Sequence, residues 1–358
     1  MFSQQKILMI CFGDLKSPIN GYLIRCLNLA NMLTTEGKTV SVIQFTDRDD
    51  RFSIGKINVY SIGVDHERNR QDRLSRLLTF NPLKALRFPI ESYTKLRKFK
   101  KVFRDCDEVY IEGCLLLGAF AYTKKQAKNI ALDTHCINKD VALTMRKSRP
   151  VIGTVRTLIW HFLEGYILKR SDRIIAISDH DRASIIRHYS IPEKEITVIP
   201  HVVSSANFEK HARRAEELRK QLSGNYASIA CYLGDLGAIQ NAAAADYIQD
   251  QLAPRLRKTL FVIVGNNPSN RTDKKNVRFV GYVDSIDPYV IMADLCIAPM
   301  NVGSGVKTKL LDYMKYSKNI VATPIALEGI NTDTYSGTIT KVDLDRFADT
   351  LKEKVAAL

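Results

Sequence analysis

Gly303, Ser304 and Gly305 run directly into Val306, Lys307 and Lys309, and then into an apolar-periodic stretch through Leu310, Leu311, Asp312, Tyr313 and Met314. The chemistry these types suggest is anion binding. Glycines let the backbone approach a ligand closely, a helix start offers unpaired N–H groups with a positive dipole end, and two lysines add charge. A strand-like run, Asp294–Pro299, precedes the turn. A β-branched run, Ile320–Thr323, follows the helix and is closed by Pro324. Strand, glycine-rich turn, helix and strand is what a phosphate site in an α/β protein requires. On spacing alone a GxG before a helix is a weak signal, and an ordinary turn with solvated lysines fits it too.

The elements that must position this turn are read from periodicity. Lys6–Cys11 is an unbroken apolar run, as for a strand buried on both faces. A turn at Pro18–Asn20–Gly21, a helix to Leu33, Gly37 as its stop and a strand at Thr39–Phe45 make a βαβ unit. Gly21 then stands at a helix start. Strand-like runs recur at Ile57–Ile62, Glu108–Ile111, Ile130–Asp133, Arg173–Ser178 and Ile196–Ile199. The helix Val155–Arg170 carries Trp160, the only tryptophan, as a packing residue. His201–Ser205 reads as a linker, and Phe208–Leu222 as a charged helix. A second alternation places strands at Ser228–Leu233, Thr259–Val264, Val277–Val280, Asp294–Pro299 and Asn319–Ala322, with helices at Asn241–Leu252 and Asp284–Met292. The expected fold class is α/β, with two Rossmann-like doubly wound parallel-sheet domains, residues 1–203 and 204–358, facing an interdomain cleft.

Length and composition agree. A chain of 358 residues with 45% hydrophobic content is long enough for two globular domains. Seven cysteines, odd in number and without a CxxC pair, argue a reduced compartment and no zinc site. No apolar run has membrane-spanning length, and no signal peptide is expected. The net charge of +15 is uneven, with 33 Lys/Arg against 21 Asp/Glu in residues 1–200. Between Asp65 and Asp105 twelve Lys/Arg face five acids, among leucines and phenylalanines. That basic segment is expected to meet an anionic surface, a membrane rather than nucleic acid, because aromatics do not interleave with its cations. A solvated helical pair is the alternative.

The blocks LGDLGAIQNAAAADYI, FVIVGNNP, VRFVGYVDSIDPYVIMADLCIAPM, GSGVKTKLLDYM and VATPIALEGI, in this order, resemble the C-terminal domain of glycosyltransferase family 4 enzymes with the GT-B fold. RIIAIS followed by ITVIPHVV resembles the family's hinge-side block. The resemblance implies transfer of a sugar from a nucleotide donor with retention of configuration and without a metal. The C-terminal domain would hold the diphosphate and the N-terminal domain the acceptor.

Carried over residue by residue, the family's paired glutamates fall on Ser304 and Asp312. Asp312 is left to accept from ribose hydroxyls, and the glycine turn supplies N–H groups where Ser304 cannot supply a carboxylate. The family's diphosphate-gripping Arg and Lys fall on Asp235 and Asn241. The phosphate role therefore passes to Lys307 and Lys309, with Gly21 from the other domain. His135 matches the family histidine beside the donor sugar and acceptor, a loop-end histidine being its alternative. Gly265 and the loop of Gly281, Tyr282 and Val283 are expected beside the base, and Glu328 matches the acid of the family's g.eGi block, a local cap being its alternative.

The expectation is a retaining, metal-independent, hexosyltransferase-like enzyme using a UDP-sugar in preference to a GDP-sugar. It needs no cofactor beyond that substrate, and its acceptor is a lipid-linked or polysaccharide glycan. It would be cytoplasmic and peripheral on the inner face of the cell membrane. A non-catalytic nucleotide-sugar binder on a degenerate GT-B fold and a sugar-nucleotide epimerase are the competing readings.

Overall fold

The computed structural model describes residues 4–17, 21–64, 90–146, 150–201, 206–303, 305–316, 318–333 and 335–358. Most of the basic segment (65–89), the turn before Gly21 (18–20), the linker positions 202–205 and Ser304 lie outside the described residues. The chain divides into two compact units. One is residues 1–142 with 151–202, the other residues 143–150 with 203–358.

The first unit is built on an eight-stranded sheet. Its strands are β1 (Lys6–Phe12), β2 (Thr39–Thr46), β3 (Asp50–Ile54), β4 (Ile57–Gly63), β5 (Glu108–Glu112), β6 (Ile130–Asp133), β7 (Arg173–Ala176) and β8 (Ile196–Val198). Their order in space is β3-β4-β2-β1-β5-β6-β7-β8. All pairings are parallel except β3 with β4, a hairpin that periodicity did not reveal because β3 (DRFSI) is short and polar. The helices are α1 (Gly21–Thr35), α2 (Lys100–Asp105), α3 (Leu117–Gln126), α4 (Asn138–Met145), α5 (Pro150–Leu168) and α6 (Asp179–Tyr189). The apolar run of β1 is buried on both faces as its composition requires. Leu8 and Ile10 enter one core cluster, and Ile7, Met9 and Cys11 enter the other. Trp160 packs against the first of these clusters.

The second unit carries a six-stranded, wholly parallel sheet in the order β11-β10-β9-β12-β13-β14. Its strands are β9 (Ser228–Leu233), β10 (Thr259–Val264), β11 (Val277–Gly281), β12 (Leu295–Ala298), β13 (Asn319–Ala322) and β14 (Ile339–Lys341). Its helices are α7 (Phe208–Ser223), α8 (Ile239–Tyr247), α9 (Asp287–Met292), α10 (Thr308–Lys315) and α11 (Phe347–Ala356). The helix expected over Asn241–Leu252 starts earlier and loosens into a π turn at Ile248–Leu252.

Counted from its own first strand, the second sheet has the order 3-2-1-4-5-6 of a dinucleotide-binding fold. The stretch β4-β2-β1-β5-β6-β7 repeats that order in the first unit. The direction of winding therefore reverses between β1 and β5 in one sheet and between β9 and β12 in the other. Ligands of open parallel sheets sit beyond the carboxyl ends of strands at such reversals.

Candidate active site

In the second unit, the glycine turn follows β12 and the loop Gly234–Ala238 follows β9, so both stand at the reversal. Gly303 and Gly305 take φ of 137° and 75°, conformations that favour glycine. A Cβ on Gly303 would lie 3.3 Å from Lys307 Cε, so the glycine makes room for the lysine to curl across the turn. Lys307 Nζ donates to the Gly305 carbonyl at 2.6 Å. Val306 is half-buried. Helix α10 starts at Thr308 with no side-chain cap and no acid in its first turn, and of its first N–H groups that of Leu310 donates back to the Lys307 carbonyl at 2.9 Å.

Lys309 is buried, so the solvated reading of this lysine does not hold. Its Nζ donates to Tyr232 Oη at 2.9 Å and to Asn241 Oδ1 at 2.7 Å, and lies 4.2 Å from the Tyr232 ring centroid. Among the described residues no carboxylate forms an ion pair with it. Burial, reinforced by the charge of Lys307, pushes Lys309 down to about 7. The two full charges expected of this turn are thus reduced, because the second lysine loses its hydration. Asn241 stands where a cation was expected, and instead orients one by accepting from Lys309.

Asp235 is occupied with its own loop. Its Oδ1 accepts from the Gly237 N–H at 2.9 Å and from the Asn266 amide at 3.1 Å. Asp312 lies on α10, partly buried and without a hydrogen-bond partner among the described residues. Burial lifts it to about 7, with Lys315 opposing and Asp287 assisting. Tyr313, one residue on, ties the helix to both strands of the reversal. Its hydroxyl accepts from the Leu233 N–H at 2.8 Å and donates to the Ile297 carbonyl at 3.3 Å.

Gly265 follows β10 with φ of 141°, and a Cβ there would stand 2.1 Å from the Gly234 carbonyl oxygen. Only glycine lets the β9 and β10 loops meet this closely. Gly265→Ala is expected to destabilise the second unit by about 1–3 kcal/mol from backbone strain alone, read by urea denaturation. An unchanged midpoint would mean the loops are free to part. Gly281 has φ of 83°, Tyr282 is exposed, and Val283 and Glu328 are half-exposed.

In the first unit, Gly21 is the first residue of α1, and His135 follows β6 with φ of 52°, a left-handed conformation unusual for a residue with a Cβ. The ring's Nε2 lies 2.8 Å from Glu112 Oε2 and 3.8 Å from Asp133 Oδ2, and the Tyr22 ring packs on it at 4.4 Å. Glu112, at the end of β5, is buried, and its Oε1 has no hydrogen-bond partner among the described residues. Burial raises its pKa and His135 opposes the rise. Asp133 is held by Arg25 of α1 through two bonds of 2.7 and 2.9 Å, both groups being buried. Glu112 therefore has the His135 ring as its side-chain partner at 2.8 Å, with Asp133 engaged by Arg25.

Neither Glu112 nor the Arg25–Asp133 pair was singled out from sequence, where the strand was expected to stop at Ile111, one residue before Glu112. Cys26 Sγ, Glu112 Oε2 and His135 Nε2 lie within 4.8 Å of one another, so these three could be considered for a metal ion. They come from α1, β5 and the loop after β6, which no local spacing could show. The fit is poor. Burial pushes the Cys26 thiol well above its usual range, and the charge of Arg25 acts on the same group of side chains.

The family described as Glycosyltransferase Family 4 matches residues 19–206, and that described as Glycosyl transferases group 1 matches residues 227–356. No curated protein matches the chain. Among solved structures, Anabaena Alr3699/HepE in complex with UDP has a TM-score of 0.64 at 14% identity, over 98% of this chain and 90% of that one. An α,α-trehalose-phosphate synthase (UDP-forming) from Burkholderia xenovorans has a TM-score of 0.69 at 10% identity, over 98% and 92%. A glycosyltransferase from Rickettsia africae has 0.60 at 15%, over 99% and 89%. These likenesses show the fold, two Rossmann-like halves of GT-B type. The Family 4 match spans more than half of the sequence, and the chain accordingly belongs to glycosyltransferase family 4 and is a glycosyltransferase.

Proposed function

We propose that the protein transfers a glycosyl group from a nucleoside-diphosphate sugar, a UDP-sugar in preference to a GDP-sugar, with retention and without a metal ion. The acceptor is a lipid-linked or growing polysaccharide glycan, met by a protein held peripherally on the inner face of the cell membrane. The observation that carries the donor reading is Lys309, a buried cation whose partners are a phenol and an amide. Such a group is costly alone and is stabilised by an arriving anion. HepE bound to UDP and UDP-glucose, and the UDP-forming trehalose-phosphate synthases, favour uridine as the base.

In this reading the diphosphate lies on the Gly303–Lys307 turn and the start of α10. As the glycosidic bond breaks, charge grows on the leaving phosphate. Lys307, protonated Lys309 and the N–H groups of the first turn stabilise it without reorganising. Asp312 accepts from the ribose hydroxyls, and Gly265 with Gly281–Val283 borders the base. His135 contacts the donor sugar and the acceptor, with its ring oriented by Glu112. Retention is the outcome the family resemblance implies.

A thermal-shift panel of nucleotide sugars tests the donor. A true donor at a hundred times its Kd adds about 2.7 kcal/mol of stability, and the shift is expected with UDP-sugars. No shift with any of them would remove the reading. In transfer assays His135→Ala should lower kcat while donor affinity stays near wild type, whereas Lys307→Ala should chiefly weaken the donor. The reverse pattern would mean the phosphates are wrongly placed.

A further inference from the structure

Helix α5 keeps a large apolar face in water. Its inward side is well determined. Glu164 is buried and accepts from the Asn138 N–H at 2.8 Å and from the Tyr189 hydroxyl at 2.6 Å. Gly165 lets the Tyr189 ring approach, and Ile167 and Leu168 join the core. The opposite side carries Val151, Ile152, Val155, Leu158, Phe162 and Tyr166, all exposed, with Val151 at 76% and Phe162 at 70%. Positions 151, 155, 158, 162 and 166 follow helical spacing, a stripe of about 22 Å at 1.5 Å per residue. These six account for nearly half of the exposed large apolar side chains among the described residues. A contiguous patch of this kind on a globular protein marks a docking surface.

The charges around the stripe point to its occupant. The helix's one acid is Glu164, which is turned inward, so the stripe has no exposed carboxylate of its own. Arg146 is exposed before the helix, and Lys169 and Arg170 are exposed after it. The Arg170 guanidinium lies 4.0 Å from the Tyr166 ring centroid. A second copy of the chain laid along this face would bring cations against cations at both ends, whether the helices ran parallel or antiparallel. An anionic leaflet meets both ends favourably, and the apolar side chains and tyrosine suit the headgroup–acyl boundary.

We infer that the exposed face of α5 is the surface that docks on an anionic lipid bilayer. The inference deepens the proposed peripheral association and rests on it. It moves the docking element from the basic segment expected from sequence to a helix whose apolar face is visible.

Co-sedimentation with vesicles of phosphatidylglycerol and phosphatidylcholine, and with phosphatidylcholine alone, tests it on the full chain. The wild type is expected to bind the anionic vesicles in a salt-sensitive way, with quenching of Trp160 by brominated lipid. Leu158→Asp combined with Phe162→Asp should reduce that binding tenfold or more while keeping the wild-type Tm and UDP thermal shift. Undiminished binding of the double variant would overturn α5 as the docking face and leave peripheral association standing. A wild type that ignores anionic vesicles would overturn both. A wild-type dimer that the double variant converts to monomer would assign the face to a second copy instead.

Discussion

Replacing Lys309 by methionine is expected to weaken UDP binding about 10- to 100-fold, the range for losing a hydrogen bond to a charged group. The unliganded protein should keep its Tm within a few degrees, because the substitution also removes a buried amine that is costly to ionise. The same variant should change the proton count of binding. With a folded pKa of about 7 against an ordinary 10.5, Lys309 is only partly protonated near neutrality. An arriving diphosphate favours its charged form, so binding takes up protons just above pH 7. Calorimetry in buffers of different ionisation enthalpy reads this uptake, which should disappear in Lys309→Met.

The sign of the stability effect follows from the same shift. Between pH 7 and 10.5 the unfolded chain holds more protons at this lysine than the folded one does, so its contribution to stability rises with pH across that window. Asp312, raised from 3.8 to about 7, acts oppositely between those values, because there the folded state holds more protons. The stability it contributes falls as pH rises from about 4 to 7. Proton release, or no change in proton count on UDP binding, would place the phosphates away from Lys309.

The second large effect is on the fold. Asp133→Ala leaves the buried Arg25 guanidinium without its carboxylate and should cost about 3–5 kcal/mol, the range for breaking a buried ion pair by removing one partner. Trp160, the only tryptophan, lies in the same unit and reports its unfolding in urea. Replacing both members, Arg25→Met with Asp133→Leu, should destabilise less than Asp133→Ala alone, since no charge is left behind. A loss below about 1 kcal/mol in the single variant would show that water reaches Arg25.

Periodicity carried most of the architecture. Runs such as Ser228–Leu233, Thr259–Val264 and Asn319–Ala322 became strands at the expected bounds because parallel strands covered on both faces are written as nearly continuous apolar runs. The glycine turn was legible because its residues are contiguous. Glu112, Arg25 and Asp133 were not, since each is an ordinary residue on its own element and gains meaning only where β5, α1 and β6 converge. Lys309 shows a further limit. The sequence displays a lysine three residues before an acid, but only the packing of Tyr232 and Asn241 around its amine makes it a buried, readily neutralised cation. β14 and α11 gave no earlier signal, one being three residues long and the other lying beyond the recognisable blocks.

The phenol of Tyr313 binds helix α10 to the ends of β9 and β12 at once. Because Lys309, Asp312 and Tyr313 share that helix, the groups assigned to phosphate and ribose form one stiff template. Gly303, Gly305 and Gly281, all at positive φ, lie in the loops that flank this template. If the proposed roles hold, substitutions in those flanking loops should change donor preference, while substitutions on α10 should weaken every donor alike.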